Sequence, residues 1–322
     1  MKNLKLIKQD CIKWMNAQDP RFIDCIVTSP PYNLNIKYGG YDDSAPRKVY
    51  LIWLSEVAKS IKRVLKDKGQ LFLNMGYSNS DPFVAMDVAQ VFRKHFVLQN
   101  QFTWVKHIAV NDTGHGQYKP ITSNRYTSAT TESVFHFTKK GDVPVDRLAI
   151  GQRNKTHPIW PELYSEGRHV AVTRRKIAKR MKFKNYKDVL SKATSAQKIE
   201  FNLKVKKLLK EKPYDPEKKK CIGNAWFIPY TPTSKLSKQI GVTEGHNFRK
   251  NSRANHPATY PEQLPIQCIK FSGIKKGSVV YDPFVGTGTT LIAAKKLNMS
   301  AIGTDIDSEY IKFSKKRIIS SR

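Results

Sequence analysis

Residues 278–304 narrow the choice of folds more than any other stretch. A short apolar run, Ser278 to Tyr281, leads into the turn Asp282-Pro-Phe-Val-Gly286-Thr-Gly288-Thr-Thr290, then a helical stretch to Leu297 and a second run, Ala301 to Thr304. A strand that passes through a glycine-rich turn into a helix, and returns as a strand, belongs to an α/β sheet whose backbone comes close to a ligand at the turn.

The first 140 residues have the same rhythm. Strands are expected at Leu4–Ile7, Asp24–Thr28, Gln70–Met75, Phe96–Val105 and Glu132–Thr138, with helices at Asp10–Asn16, Val49–Leu65 and Pro82–Phe92. Lys66-Asp-Lys-Gly69 reads as a basic last helical turn with a glycine stop, and Asn111–Thr131 as a polar loop long enough to be functional. A helix at Pro261–Phe271 closed by Gly273, and a last helix after Thr304, complete the pattern. Strands alternating with helices imply a mostly parallel sheet covered on both faces.

Between these parts the rhythm stops. Residues 141–254 hold 27 Lys/Arg against 10 Asp/Glu, a net of +17 within a chain of net charge +31. Such an excess points to a polyanionic partner, nucleic acid first and an anionic membrane surface second. The aromatics Trp160, Tyr164, Phe183, Tyr186 and Trp226 interleave with this charge, which suits stacking beside phosphate contacts, although Lys198–Lys212 also reads as a merely solvated helix. No run approaches the roughly 20 apolar residues of a membrane span and the N-terminus lacks a signal peptide's apolar core, so a cytoplasmic protein without membrane contact is expected. Cys11, Cys25, Cys221 and Cys268 have no metal-ligand spacing and read as ordinary thiols; no metal site is expected.

Two loops carry chemistry. The glycine turn is neither Gly-x-Gly-x-x-Gly nor a Walker loop, and the acidic Asp282 that opens it suits a nucleoside bearing a cationic sulfonium better than a pyrophosphate. Asp305, about 20 residues on, is the expected ribose ligand, with Asp307 read as a helix N-cap. The second loop, Thr28-Ser29-Pro30-Pro31-Tyr32-Asn33, follows a strand and leaves on the same rim. Its prolines would aim the Ser29 hydroxyl and backbone carbonyls at an exocyclic NH2 and leave Tyr32 as a stacking face for a flipped base.

With TSPPYN, Tyr50-Leu-Ile-Trp-Leu54 through Leu71-Phe-Leu-Asn74, Asn255-His-Pro-Ala-Thr-Tyr-Pro-Glu-Gln-Leu264 and DPFVGTGTT together, the chain resembles the amino-methyltransferases of DNA modification systems in their permuted β-group order. The resemblance covers about two-thirds of the chain and leaves residues 141–254 unmatched. It implies a Rossmann-like, S-adenosylmethionine-dependent methyltransferase fold in circularly permuted order, with 1–140 as the catalytic half, 141–254 as a basic target-recognition insertion and 255–322 as the cofactor half. It further implies Ser29, Pro30, Pro31 and Tyr32 as catalytic residues. S-adenosylmethionine would be held by His256, Pro257, Ala258, Asp282, Phe284, Gly286, Gly288, Thr289 and Asp305. By the same likeness the Glu132–Phe137 strand shapes the base pocket, unless it is a plain core strand.

Double-stranded DNA is the implied substrate, with room for a cognate restriction endonuclease acting on the same site; no oligomeric state follows. Serine before the double proline leans toward N4 of cytosine over N6 of adenine. The absence of a Pro-Cys pair argues against C5-cytosine chemistry. An RNA amino-methyltransferase and a non-catalytic nucleic-acid-binding protein are the remaining alternatives.

Overall fold

The computed structural model describes residues 3–36, 41–110, 113–116, 124–153, 166–215, 219–228 and 259–321. They form two compact units, Met1–Asp146 with Gly223–Arg322, and Arg147–Ile222.

The larger unit opens with β1 (Leu4–Lys8), α1 (Cys11–Asn16), β2 (Ile23–Thr28), α2 (Arg47–Val64), β3 (Leu65–Met75), α3 (Val84–Arg93), β4 (Val97–Val105) and a hairpin of β5 (His107–Val110) with β6 (Thr113–Gly116). The second strand of that hairpin falls inside Asn111–Thr131, a segment expected to be loop throughout. β7 (Thr131–Thr138) closes this part. The helical unit holds β8 (Gln152–Arg153), α4 (Glu166–Arg180), α5 (Tyr186–Lys192), α6 (Ser195–Glu211) and β9 (Lys219–Lys220). The chain then rejoins the sheet through β10 (Ala225–Phe227) and ends with α7 (Gln263–Ser272), β11 (Val279–Asp282), α8 (Thr289–Lys296), β12 (Ser300–Asp305) and α9 (Ser308–Ser320).

Among the described residues eight strands form one sheet in the order β1-β12-β11-β2-β3-β7-β4-β10, in which only β7 runs against its neighbours. Side chains alternate across it as strand geometry requires. Leu71, Leu73, Phe135 and Phe137 pack with α1, α2 and α3 on one face. Phe72, His136, Phe102 and Trp226 gather around Phe271 of α7 on the other. His136 sits in that layer as a core residue, stacked on Phe72 and hydrogen-bonded to Gln70 and Asn100, and burial lowers its pKa to about 4. The result is a Rossmann-like sheet with helices on both faces.

Two local expectations give way to tertiary pairing. Lys66–Gly69 is not the end of a helix but a bulge in β3, since Ile23 pairs with Leu65 while Cys25 pairs with Gln70. Pairing with β2 takes over as soon as Leu65 turns extended (φ −72, ψ 134), so the helix ends at Val64, with Lys62 and Arg63 as its basic last turn, and Lys66 lies in the strand and reaches Asp24 at 2.7 Å. Trp226 is no stacking platform for a ligand: it is fully buried in β10 with its ring 4.0 Å from that of Phe102. Among the other aromatics of the basic segment, Tyr186 stacks on Phe201 and Phe183 packs against the core of the helical unit, while Trp160 and Tyr164 lie outside the described residues.

In the helical unit, α6 is partly a solvated helix, with Ile199 and Leu203 exposed, but Phe201 and Val205 bury against Ile177 and Ala178 of α4. Thr194 and Gln197 cap it with a reciprocal pair of hydrogen bonds. Among the described residues no helix is long and apolar enough to cross a membrane, and no group of acidic, histidine and cysteine residues could hold a metal ion.

Candidate active site

β1, β2, β11 and β12 are parallel, so the residues that follow each of them leave on one edge of the sheet. From β11 the chain moves outward to β12, and from β2 it moves the other way to β3. The crevice between β2 and β11 is therefore the switch point where open α/β sheets hold ligands. A cavity opens there, lined by Ser29, Pro30, Pro31 and Tyr32 after β2, Pro283 and Phe284 after β11, Asp305, Ile306 and Asp307 after β12, and Gln9, Asp10 and Cys11 after β1. Tyr41, Trp53 and Tyr310 complete it. The two motifs lie more than 250 residues apart in the chain and share one wall-to-wall space.

The proline turn is braced from beneath. The buried Asp43 carboxylate accepts the backbone N–H groups of Asn33 (2.8 Å), Leu34 (3.0 Å) and Ile36 (3.1 Å), and the Asn33 side chain donates to the carbonyls of Asp43 and Ala45. Tyr50 donates to the Pro31 carbonyl at 2.6 Å. Tyr32, expected to stand free, is only 8 % exposed; its ring lines the cavity while its hydroxyl meets Ser29 Oγ (2.7 Å), Asn74 Nδ2 (2.8 Å) and Glu132 Oε2 (3.1 Å). Glycine at position 76 permits this, because a Cβ there would lie 2.8 Å from the Tyr32 ring.

The glycine turn is held from behind by α9. Ser314 donates to the Gly286 carbonyl, and the buried Arg317 donates to the Thr287 carbonyl at 2.6 Å and to Thr289 Oγ1 at 3.1 Å. Burial lowers the Arg317 pKa to about 10. Gly288 takes a left-handed φ of 81° against α9, where a Cβ would come 3.1 Å from Ser314 Cβ. Gly286, Gly288 and Thr289 thus shape the turn, while Pro283 and Phe284 present its surface to the cavity.

Asp305 lies at the cavity wall. Its carboxylate accepts one hydrogen bond from Gly286 N (3.0 Å) and one from Asp307 N (2.9 Å), which leaves lone pairs on both oxygens. Burial raises its pKa to about 6. Asp307 is the N-cap of α9, accepting from Glu309 N and Tyr310 N.

Asp282 departs from its expected place as a ligand contact. It is 1 % exposed, does not line the cavity, and accepts from Thr28 Oγ1 (2.7 Å), Thr290 Oγ1 (2.7 Å) and Phe284 N (3.1 Å), with Tyr260 beside it at 3.2 Å. It ties β2, β11 and α8 together at the crevice floor, and burial pushes its carboxyl up. His256, Pro257 and Ala258 lie outside the described residues, but Tyr260 of the same motif meets Thr290 Oγ1 at 2.6 Å.

A DNA methylase family profile matches residues 23–316. The chain belongs to the N6/N4 family of DNA methylases. The Type II methyltransferase M.BglII of Bacillus subtilis is 26 % identical over 298 residues, which are 90 % of this chain and 61 % of that protein. The chain thus spans less than two-thirds of that relative's length. The DNA adenine methyltransferase YhdJ of Escherichia coli K12 is 21 % identical over 97 % of this chain and 82 % of its own length. Among solved structures, the cytosine-N4-specific PvuII DNA methyltransferase superposes with a TM-score of 0.60 at 16 % identity, covering 98 % of this chain and 86 % of that one. The fold is accordingly that of the S-adenosylmethionine-dependent methyltransferases.

Several site residues carried no motif. Glu132 stood only inside a strand assigned to the base pocket or the core, Asn74 only closed a motif of the resemblance without a role, and Lys106 gave no signal, because their partners are far away in sequence. Arg317 left a trace: it continues the buried spacing of Tyr310, Phe313 and Ser314 along α9, where a cation is out of place unless it caps something.

Proposed function

We propose that this methylase transfers a methyl group from S-adenosylmethionine to the exocyclic amino group of a base flipped out of double-stranded DNA, with N4 of cytosine as the target. The observation that carries the reading is the single cavity joining Ser29–Tyr32 to Phe284 and Asp305. The residues present fit the cofactor. Phe284 and Ile306 offer apolar walls for an adenine, and the spare lone pairs of Asp305 suit ribose hydroxyls. When bound, S-adenosylmethionine supplies a methyl group on a sulfonium, so the chain needs no covalent nucleophile.

An exocyclic amine is a weak nucleophile because its lone pair is delocalised into the ring. Ser29 Oγ and the Pro30 carbonyl accept its two N–H groups, localising the lone pair and aiming it along the cavity. The Tyr32 ring packs on the flipped base. The cytosine reading rests on serine preceding Pro30, and the basic helical unit supplies contacts to the phosphate backbone. Action in the cytoplasm, beside an endonuclease reading the same site, belongs to this reading of a restriction-modification enzyme.

Nucleosides from DNA of cells expressing the protein, analysed by mass spectrometry, test it. N4-methylcytosine is the expected product. N6-methyladenine alone would overturn the base assignment and leave the amino chemistry; 5-methylcytosine would overturn both.

A further inference from the structure

The Tyr32 hydroxyl meets Ser29, Asn74 and Glu132, and the chemistry of these groups fixes which of them donates. Asn74 Nδ2 has only hydrogens to offer, so it donates to Tyr32 Oη (2.8 Å) and to Glu132 Oε2 (2.7 Å). A carboxylate has none, so the one hydrogen of Tyr32 goes to Glu132 Oε2 (3.1 Å). The remaining contact, Ser29 Oγ to Tyr32 Oη at 2.7 Å, then has a single solution: Ser29 is the donor. With its hydrogen turned inward, the serine oxygen faces the cavity with lone pairs alone. Lys106 secures the arrangement by donating to the other oxygen of Glu132 at 3.1 Å, in a pair whose side chains are 18 % and 15 % exposed.

We propose that Glu132, held by Lys106, is a positioning residue that sets the direction of the Glu132–Tyr32–Ser29 hydrogen bonds and so makes Ser29 an obligate acceptor for the N–H of the target amine. The inference rests on the amino-methyltransferase reading above and names the residue that polarises its acceptor. It also explains why a carboxylate and an ammonium are brought into a half-buried site next to a base-binding turn that has no use for net charge. Glu132 is not among the residues lining the cavity; it acts through Tyr32.

Replacement by the isosteric amide separates this role from a packing role. In Glu132→Gln the amide oxygen stays on Lys106 and the amide nitrogen faces Tyr32 and donates to it, with Asn74 turning its unpaired Oδ1 toward that nitrogen. Tyr32 then donates to Ser29, whose hydrogen turns into the cavity against the amine. Steady-state and single-turnover methylation of unmodified genomic DNA should show kcat reduced at least 100-fold, with KM for DNA and Kd for S-adenosylmethionine within about twofold of wild type. Glu132→Asp, which keeps an acceptor of the same sign, should recover part of that loss. In a Tyr32→Phe background, where the relay is already cut, adding Glu132→Gln should lower kcat by less than threefold further.

A Glu132→Gln enzyme with at least a third of wild-type kcat, or losses that multiply in the double variant, would overturn the proposal. If the wild-type enzyme itself left no methyl on any amino group, the functional reading would fail instead, so the two failures are told apart by the unmutated protein.

Discussion

Asp282→Ala distinguishes a residue that grips a ligand from one that holds the crevice floor together. The carboxylate is 1 % exposed and takes hydrogen bonds from Thr28, Thr290 and Phe284 N. Truncation leaves these donors in a dry interior. Thr290 has a second acceptor in the Val27 carbonyl at 3.2 Å, and Tyr260, which also donates to Asp282, has one in Thr290 Oγ1 at 2.6 Å, so two orphans remain, Thr28 Oγ1 and Phe284 N. A buried unsatisfied donor costs about 1–3 kcal/mol, and a small cavity adds to it. Relief of the buried charge offsets part of this, leaving an expected loss of about 3 kcal/mol. Asp282→Asn keeps the shape and removes one acceptor, so its loss should be smaller, about 1–2 kcal/mol.

Urea unfolding followed by tryptophan fluorescence reads the change as a shift in midpoint. With a slope of about 3 kcal/mol per molar for a chain of this size, Asp282→Ala should unfold about 1 M earlier. Titration with S-adenosylmethionine at low urea serves as the companion measurement. An unchanged midpoint together with a lost cofactor affinity would refute the structural role and return Asp282 to the ligand.

Asp305 should make cofactor affinity depend on pH. Its carboxyl is raised to about 6 by burial, and the ionised form is the one with lone pairs for a ribose, so affinity measured by calorimetry should fall as pH drops from 7.5 through 6. Asp305→Asn should bind weakly and show no such step. For stability the sign is opposite: a raised carboxyl pKa favours the folded state below the unfolded value near 4, and that contribution is lost as pH rises through about 6. Replacing Arg174, Arg175, Lys176, Lys179 and Arg180, all exposed on α4 while Ile177 and Ala178 are buried, should weaken DNA binding and flatten its salt dependence. Each phosphate contact removed should lower the slope by about 0.9, and an unaltered slope would make α4 a solvated face.

What the sequence determined by itself was local. Strand, turn and helix follow from patterns a few residues long, so Thr28 ends a strand, two prolines force a turn, and Gly286 and Gly288 open another. Because both turns follow parallel strands, even their emergence on a common edge was legible. The tertiary structure decided what lies next to what. Glu132 reaches Tyr32 across 100 residues because β7 inserts antiparallel beside β3, and Arg317 reaches the Thr287 carbonyl because α9 folds back behind the glycine turn. Asp282 looked like a ligand contact in sequence and became a core carboxylate once β2 and α8 supplied Thr28 and Thr290. Trp226 looked like a stacking face and became sheet core once β10 paired with β4. A hydrogen-bond partner or a packing face contributed by a distant strand leaves no periodicity behind, since it depends on strand order, and strand order is set by how the whole chain buries its apolar surface.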